Sequence, residues 1–157
     1  MFFLDTTLRF FWGASYGSIY PTLNKLEKEG KVIKKDASSN GREKISYSIT
    51  ERGKDALKEW LKKPAEKDEL RYETLLKLFF GNETGMEGAK EHIERFEEKC
   101  RDELIVLNMF AENLGQYLED DTHKHYYLTA KFAIKTYESY LDWCHDAKKQ
   151  IKEWEKR

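Results

Sequence analysis

Residues 15–50 read SYGSIYPTLNKLEKEG (15–30), KVIKKD (31–36), ASSNGR (37–42) and EKISYSIT (43–50): a short helix pattern, then two strand-like runs joined by a polar turn. Ser15 is a good N-cap, Ile19, Leu23 and Leu26 recur at steps of four and three, and Gly30 suits a helix C-terminus. Pro21 conflicts with this pattern, because a proline beyond the first turn removes a backbone hydrogen bond. The conflict vanishes if the helix begins nearer Tyr20. Lys31–Lys35 and Glu43–Ile49 alternate as strands do, with Ile45, Tyr47 and Ile49 on one face and Val32 opposite to Ile33. Asn40-Gly41 is the strongest short hairpin signal, since both residues tolerate positive φ. A groove-sized helix followed by a hairpin with cations at its tip is the arrangement of a winged helix-turn-helix.

Working outward, Phe2–Trp12 is helix-compatible through Phe3, Leu4, Leu8, Phe11 and Trp12, and Gly13 ends it. On the other side Thr50 caps a helix from Glu51 to Leu61, whose apolar face holds Ala56, Leu57, Trp60 and Leu61. Lys62-Lys63-Pro64 breaks it, which places a domain boundary there. Leu70–Phe80 reads as a short apolar-rich helix and Asn82–Gly88 as a loop. Two long helices follow. One carries a seam of Ile93, Phe96, Cys100, Leu104, Leu107, Ala111, Leu114 and Leu118; the other carries Tyr127, Ala130, Ile134, Tyr137, Leu141, Cys144, Ile151 and Trp154, with Lys148 interrupting. Asp120-Asp121-Thr122 separates them and can cap the later one. The pair can close on itself, but rods of about 30 residues favour a dimer arm. That assigns Ile93, Phe96, Leu104, Leu107, Leu114, Ile134, Tyr137, Leu141 and Ile151 to a homodimer interface. The expected fold is mainly α with a small β-hairpin: a winged helix-turn-helix domain at 1–63 and a long-helix dimerisation domain at 64–157.

Charged residues make up 36% of the chain and mean hydropathy is −0.82, yet 14% of residues are aromatic. Disordered chains are poor in aromatics, so this is a folded chain with a very polar surface. No apolar run approaches the roughly 18 residues of a membrane span. MFFLDTTLRFFW lacks a basic leader, and Cys100 and Cys144 fit no ligand spacing and read as reduced thiols, so a cytoplasmic location is expected. Residues 1–63 carry 13 Lys and Arg against 8 Asp and Glu, whereas residues 64–157 carry 15 against 21. A basic front and an acidic rear suit a protein that meets DNA on one side.

The helix offers Ser15, Tyr16, Ser18, Tyr20, Thr22, Asn24 and Lys25 off its apolar stripe, hydroxyls and amides of the kind that read base edges. Taken alone, that face equally suits a solvated surface. Lys34, Lys35, Arg42 and Lys44 bracket the small polar loop around Asn40, and Arg42 follows directly on the turn, where a guanidinium can reach a phosphate or a minor groove. No nucleophile motif, phosphate loop or zinc spacing occurs, so neither an enzyme nor a cofactor is expected. His123 and His125 beside Asp120 and Asp121 complete no ligand set. Tyr140, Trp143 and Trp154, with Phe132 and Tyr137 nearby, are either packing or the wall of an effector pocket.

The runs FFWGASYGSIYPTLNKLEKEGKV (10–32) and NGREKISYSITERGKDAL (40–57), then Trp60, then RYETLLKLFFG (71–81), resemble the PadR family of transcriptional regulators, in the branch with a long helical C-terminal region. The resemblance implies a homodimer that binds an inverted-repeat operator in double-stranded DNA, usually as a repressor. It further implies C-terminal helices that pair across the dimer and a small hydrophobic or phenolic effector. Family members carry a further helix ahead of FFLDTTLRFFW, so the chain is expected to lack the first N-terminal helix. That leaves an alternative function: a helical dimeric ligand- or protein-binding module that has lost DNA binding through the truncation.

Overall fold

A computed structural model describes residues 16–39, 42–66 and 71–156; of 16–18, 36–39 and 42–44 it describes the backbone alone. The helix expected at Phe2–Trp12 lies outside the described residues. The contacts divide the chain into two compact units, whose described parts are 16–66 and 71–156.

The first unit runs α1 (Tyr16–Lys28), β1 (Val32–Ser39), β2 (Arg42–Ile49) and α2 (Glu51–Leu61). α1 passes straight through Pro21, so the conflict is not resolved by a later start. The residue sits in the sixth described helical position, where it brings no N–H to the helix. Gly30 ends the helix at φ 68°. Its N–H donates to the Glu27 carbonyl and the Lys31 N–H to the Leu26 carbonyl, both at 2.9 Å, which is a Schellman closure. The strands pair antiparallel from Val32 opposite Ile49 to Ser39 opposite Arg42. That register leaves only Asn40 and Gly41, outside the described residues, between the strand ends. β1 runs to Ser39, four residues beyond the expected Lys35. The two-residue connection lets Asp36–Ser39 pair despite their low strand propensity.

The second unit holds α3 (Glu73–Phe79), a 3-10 turn (Gly81–Glu83), α4 (Gly85–Gly115) and α5 (Asp121–Trp154). The loop expected over 82–88 is instead this turn and the first turn of α4. Thr84 closes the turn, donating to the Gly81 carbonyl from both backbone and hydroxyl. Gly88 is helical against the Thr84 side chain, where a Cβ would come within 2.7 Å of the hydroxyl. Asp120 caps α5 by accepting from the His123 N–H.

α4 and α5 form an antiparallel hairpin. Ile93, Cys100, Leu107 and Leu114, each seven residues apart, are buried on α4; Ala130, Cys144 and Ile151 sit on the matching heptad row of α5 with Ala133 and Ile134 beside them. A strict seven-residue repeat keeps one seam in contact along both rods. Leu107 with Ala111, Leu114, Ala130 and Ile134 fills one end, and Ile93 with Cys144 and Ile151 fills the other. This corrects the homodimer assignment. Ile93, Leu107, Leu114, Ile134 and Ile151 are at most 5% exposed within a single chain, so they hold the hairpin together and present nothing to a second copy. Phe96, Leu104, Tyr137 and Leu141 are half-buried along the same seam. The chain thus satisfies its stripes by folding back at residues 116–120.

Lys148, which interrupts the α5 stripe, reaches across to Glu97 of α4, and Arg101 donates to the same carboxylate at 2.8 Å. These hydrogen bonds hold the Glu97 carboxyl below its ordinary pKa. Lys90, seven residues before Glu97, pairs with Glu155, the residue that caps α5 seven residues after Lys148. The two cross-helix pairs therefore follow the heptad step of the core and set its register.

Candidate nucleic-acid interface

The joint between α1, the hairpin and α2 is built around Thr50. Its side chain accepts from the Gly53 N–H at 3.0 Å and caps α2; its hydroxyl reaches the Gly30 carbonyl at 2.7 Å, and its N–H donates to the Lys31 carbonyl at 3.0 Å. One residue thus ties the end of α1 to both the end of β2 and the start of α2. Gly53 makes the approach possible. It is the buried residue of α2, and a Cβ there would lie 2.0 Å from the Lys31 carbonyl oxygen and 2.8 Å from the Ile49 side chain.

This joint presents two surfaces. Along α1, Tyr20, Thr22, Asn24 and Lys25 are exposed, while Leu23 and Leu26 are half-buried on the stripe side. Tyr16 and Ser18 belong to the same helix by backbone; Ser15 and Asn40 lie outside the described residues. On the hairpin, Lys35 is exposed, and strand alternation gives Lys35, Arg42 and Lys44 register positions of one face, with Lys34 on the other. The Ser46 hydroxyl, cross-strand from Lys35, donates to the Lys35 carbonyl at 3.1 Å. Arg52 on α2 adds a cation that the strand pattern did not flag. A hydrogen bond from Lys31, with the fields of Lys31, Lys25 and Arg52, draws the Glu29 carboxyl below its usual pKa.

In the helical unit, a cavity of about 510 Å³ is lined by Tyr72, Phe96, Tyr137 and Tyr140, with Arg71, Lys99 and other cations around them. Tyr72 and Tyr140 share a hydroxyl–hydroxyl hydrogen bond, and their rings meet edge to face at 5.5 Å. Burial, reinforced by Tyr140, pushes the Tyr72 phenol well above its ordinary range. Of the three expected pocket residues, only Tyr140 lines this space. Trp143 packs edge-on against Phe96, and Trp154 lies half-exposed in the last turn of α5. Tyr72 was missed because it sits outside the long helices, where no periodicity points to it. Among the described residues no group of three or more His, Cys, Asp or Glu is placed to hold a metal. Burial raises the Cys100 thiol to about 12 and Cys144 upward as well, so both stay protonated. No described helix is long and apolar enough to cross a membrane.

With this geometry in view, residues 3–59 match the model of the transcriptional regulator PadR-like family, and residues 70–152 match that of the virulence activator alpha C-terminal region. A negative transcriptional regulator, PadR of Bacillus subtilis, is 27% identical over 142 residues, covering 85% of this chain and 76% of that protein. The crystal structure of smu.1604c from Streptococcus mutans superposes with a TM-score of 0.77 at 30% identity, covering 91% of this chain and 84% of that one. Bacillus subtilis PadR in complex with operator DNA gives a TM-score of 0.69 at 24% identity over 92% and 83%. The same protein with p-coumaric acid gives 0.62 at 23% over 96% and 86%. The chain is a winged-helix protein with a long-helix C-terminal region. It belongs to the PadR-like family of transcriptional regulators, whose members are not enzymes.

Proposed function

We propose that this chain is a homodimeric repressor that binds an inverted-repeat operator, in the cytoplasm, through α1 and the β1–β2 hairpin. Residues 1–63 form the DNA-binding domain and residues 64–157 the dimerisation and effector domain. The observation that carries the reading is the Thr50–Gly53 joint, which holds an exposed polar helix face and a cation-bearing hairpin in one unit. Ser15, Tyr16, Ser18, Tyr20, Thr22, Asn24 and Lys25 would face the major groove, and Lys35, Asn40, Arg42 and Lys44 the adjoining backbone. The operator complex and the negative-regulator name of Bacillus subtilis PadR support it. For the dimer, Met109 on α4 and Leu128 and Phe132 on α5 stay about two-thirds exposed, at 66%, 66% and 67%, which leaves apolar surface for a second copy. The p-coumaric acid bound by the Bacillus relative supports a small phenolic or hydrophobic effector.

Fluorescence anisotropy with DNA from upstream of the chain's own operon tests the reading. Tight, salt-dependent binding is expected. Arg42→Ala weakens binding to every sequence and lowers the slope of log affinity against log salt by about one. An unchanged slope removes Arg42 from the interface. Equal affinity for operator and scrambled DNA overturns the reading in favour of a helical module that does not recognise DNA.

A further inference from the structure

We propose that Cys100 and Cys144 form a two-coordinate site for a soft monovalent cation of the Cu(I) type, held between the two long helices. The register of the ion pairs sets the two thiols against each other. Cys100 lies three residues beyond Glu97 on α4, and Cys144 lies four residues before Lys148 on α5. In an antiparallel hairpin both steps run about one turn from the Glu97–Lys148 pair toward the connecting loop, so they end in the same layer. The Lys90–Glu155 pair repeats the relation: Ile93 and Ile151 stand at the same offsets from it and share one buried cluster. Both cysteines are at most 1% exposed, and the Cys144 thiol adds to the burial that pushes Cys100 up.

Thiolates suit Cu(I), zinc and iron–sulfur clusters. Zinc and the clusters ask for four protein ligands, and among the described residues no three His, Cys, Asp or Glu come together. Cu(I), with its closed shell, is satisfied by two thiolates in line. Binding replaces two S–H bonds by two S–Cu bonds: two thiols and one Cu(I) give a bis-thiolate with one negative charge and release two protons. A buried charge needs compensation, and the neighbouring turn holds it. Lys148 and Arg101 share the single carboxylate of Glu97, so this trio carries one unit of positive charge in surplus. All three groups act on the Cys144 thiol. Cys100 also lines the cavity of the helical unit, which gives the ion a route to the pair.

Anaerobic titration of the full chain with Cu(I), in competition with the chelator bicinchoninate, tests the site. One Cu(I) per chain is expected. Cys100→Ala and Cys144→Ala should each weaken it about a hundredfold or more, since either leaves a single thiolate. Lys148→Met should weaken it about tenfold, and Lys148→Arg should restore it. Copper K-edge absorption of the wild-type complex, which needs no variant to fold, should show two sulfur neighbours in line and no nitrogen or oxygen. No uptake against the chelator, or one copper shared between two chains, overturns the site. So does a third neighbour in the absorption spectrum, or an alanine variant with an unchanged circular dichroism spectrum that binds as tightly as the parent. A Lys148→Met protein that binds as tightly as the parent overturns the charge compensation. The outcome is independent of operator binding.

Discussion

Replacing Gly53 by alanine inverts the usual expectation for a glycine inside a helix. In α2, helix propensity alone favours alanine by about 1 kcal/mol. The structure opposes this, because the new Cβ would sit 2.0 Å from the Lys31 carbonyl oxygen, whereas real Cβ contacts essentially never fall under 3.0 Å. The obstacle is backbone, so about 1 Å of relief must come from moving α2 or the β1 entry. Overpacking of this kind costs about 1–3 kcal/mol. The Lys31 carbonyl also accepts the Thr50 N–H at 3.0 Å, and losing that bond costs about 1 kcal/mol more. Set against the propensity gain, Gly53→Ala should destabilise the winged unit by about 1–3 kcal/mol. Urea denaturation, with hydrogen exchange of the β1 and β2 amides to localise the loss, measures it. Gly115→Ala is the control, since its Cβ would meet Tyr127 at an ordinary 3.9 Å. A Gly53→Ala protein as stable as the parent would refute the close approach and the joint built on it.

Leu107→Ala should cost about 2–5 kcal/mol by urea denaturation, because Leu107 is fully buried between two rods that cannot both close on the void; a cost below that would mean the seam is not packed as described. Glu97 has a depressed pKa in the folded chain, so its ion pairs contribute stability that is complete above its unfolded pKa near 4.5 and is lost as pH falls through the lower folded value. Glu97→Gln should therefore melt below the parent at pH 7 and converge with it in acid, and thermal scans with a constant gap at all pH values would exclude this role. Thr50→Val, which keeps shape but removes the cap and the bridge to Gly30, should cost about 1 kcal/mol or more in the winged unit; hydrogen exchange at the Gly53 amide left unaltered would contradict it.

Much of the fold was legible because its signals are local. Gly30, Asn40-Gly41, Thr50 and Asp120 each mark an end or a turn through φ preference or a short side-chain oxygen, and three of them end or cap helices in the structure as read. The heptad rows on α4 and α5 were equally visible, because burial on one helix face repeats in sequence. Glycine at 85 and 88 misled for the same reason that it helped at 30. Sequence shows that a glycine permits unusual geometry, but not whether the need is a turn or, as at Gly88, contact with the Thr84 side chain. Lys148 looked like a flaw in its stripe because its partner, Glu97, is 51 residues away.

Residue order alone indicated most of the described helices and strands and that a polar helix precedes a basic hairpin, since these follow from preferences within a few residues. Tertiary structure decided the rest: that the long helices spend their apolar rows on each other, that Gly53 exists for the Lys31 carbonyl, and that Tyr72 joins Tyr140 at the edge of a cavity. Each of these depends on atoms brought together across tens of residues, and no local pattern encodes which of several apolar faces or hydroxyls will meet.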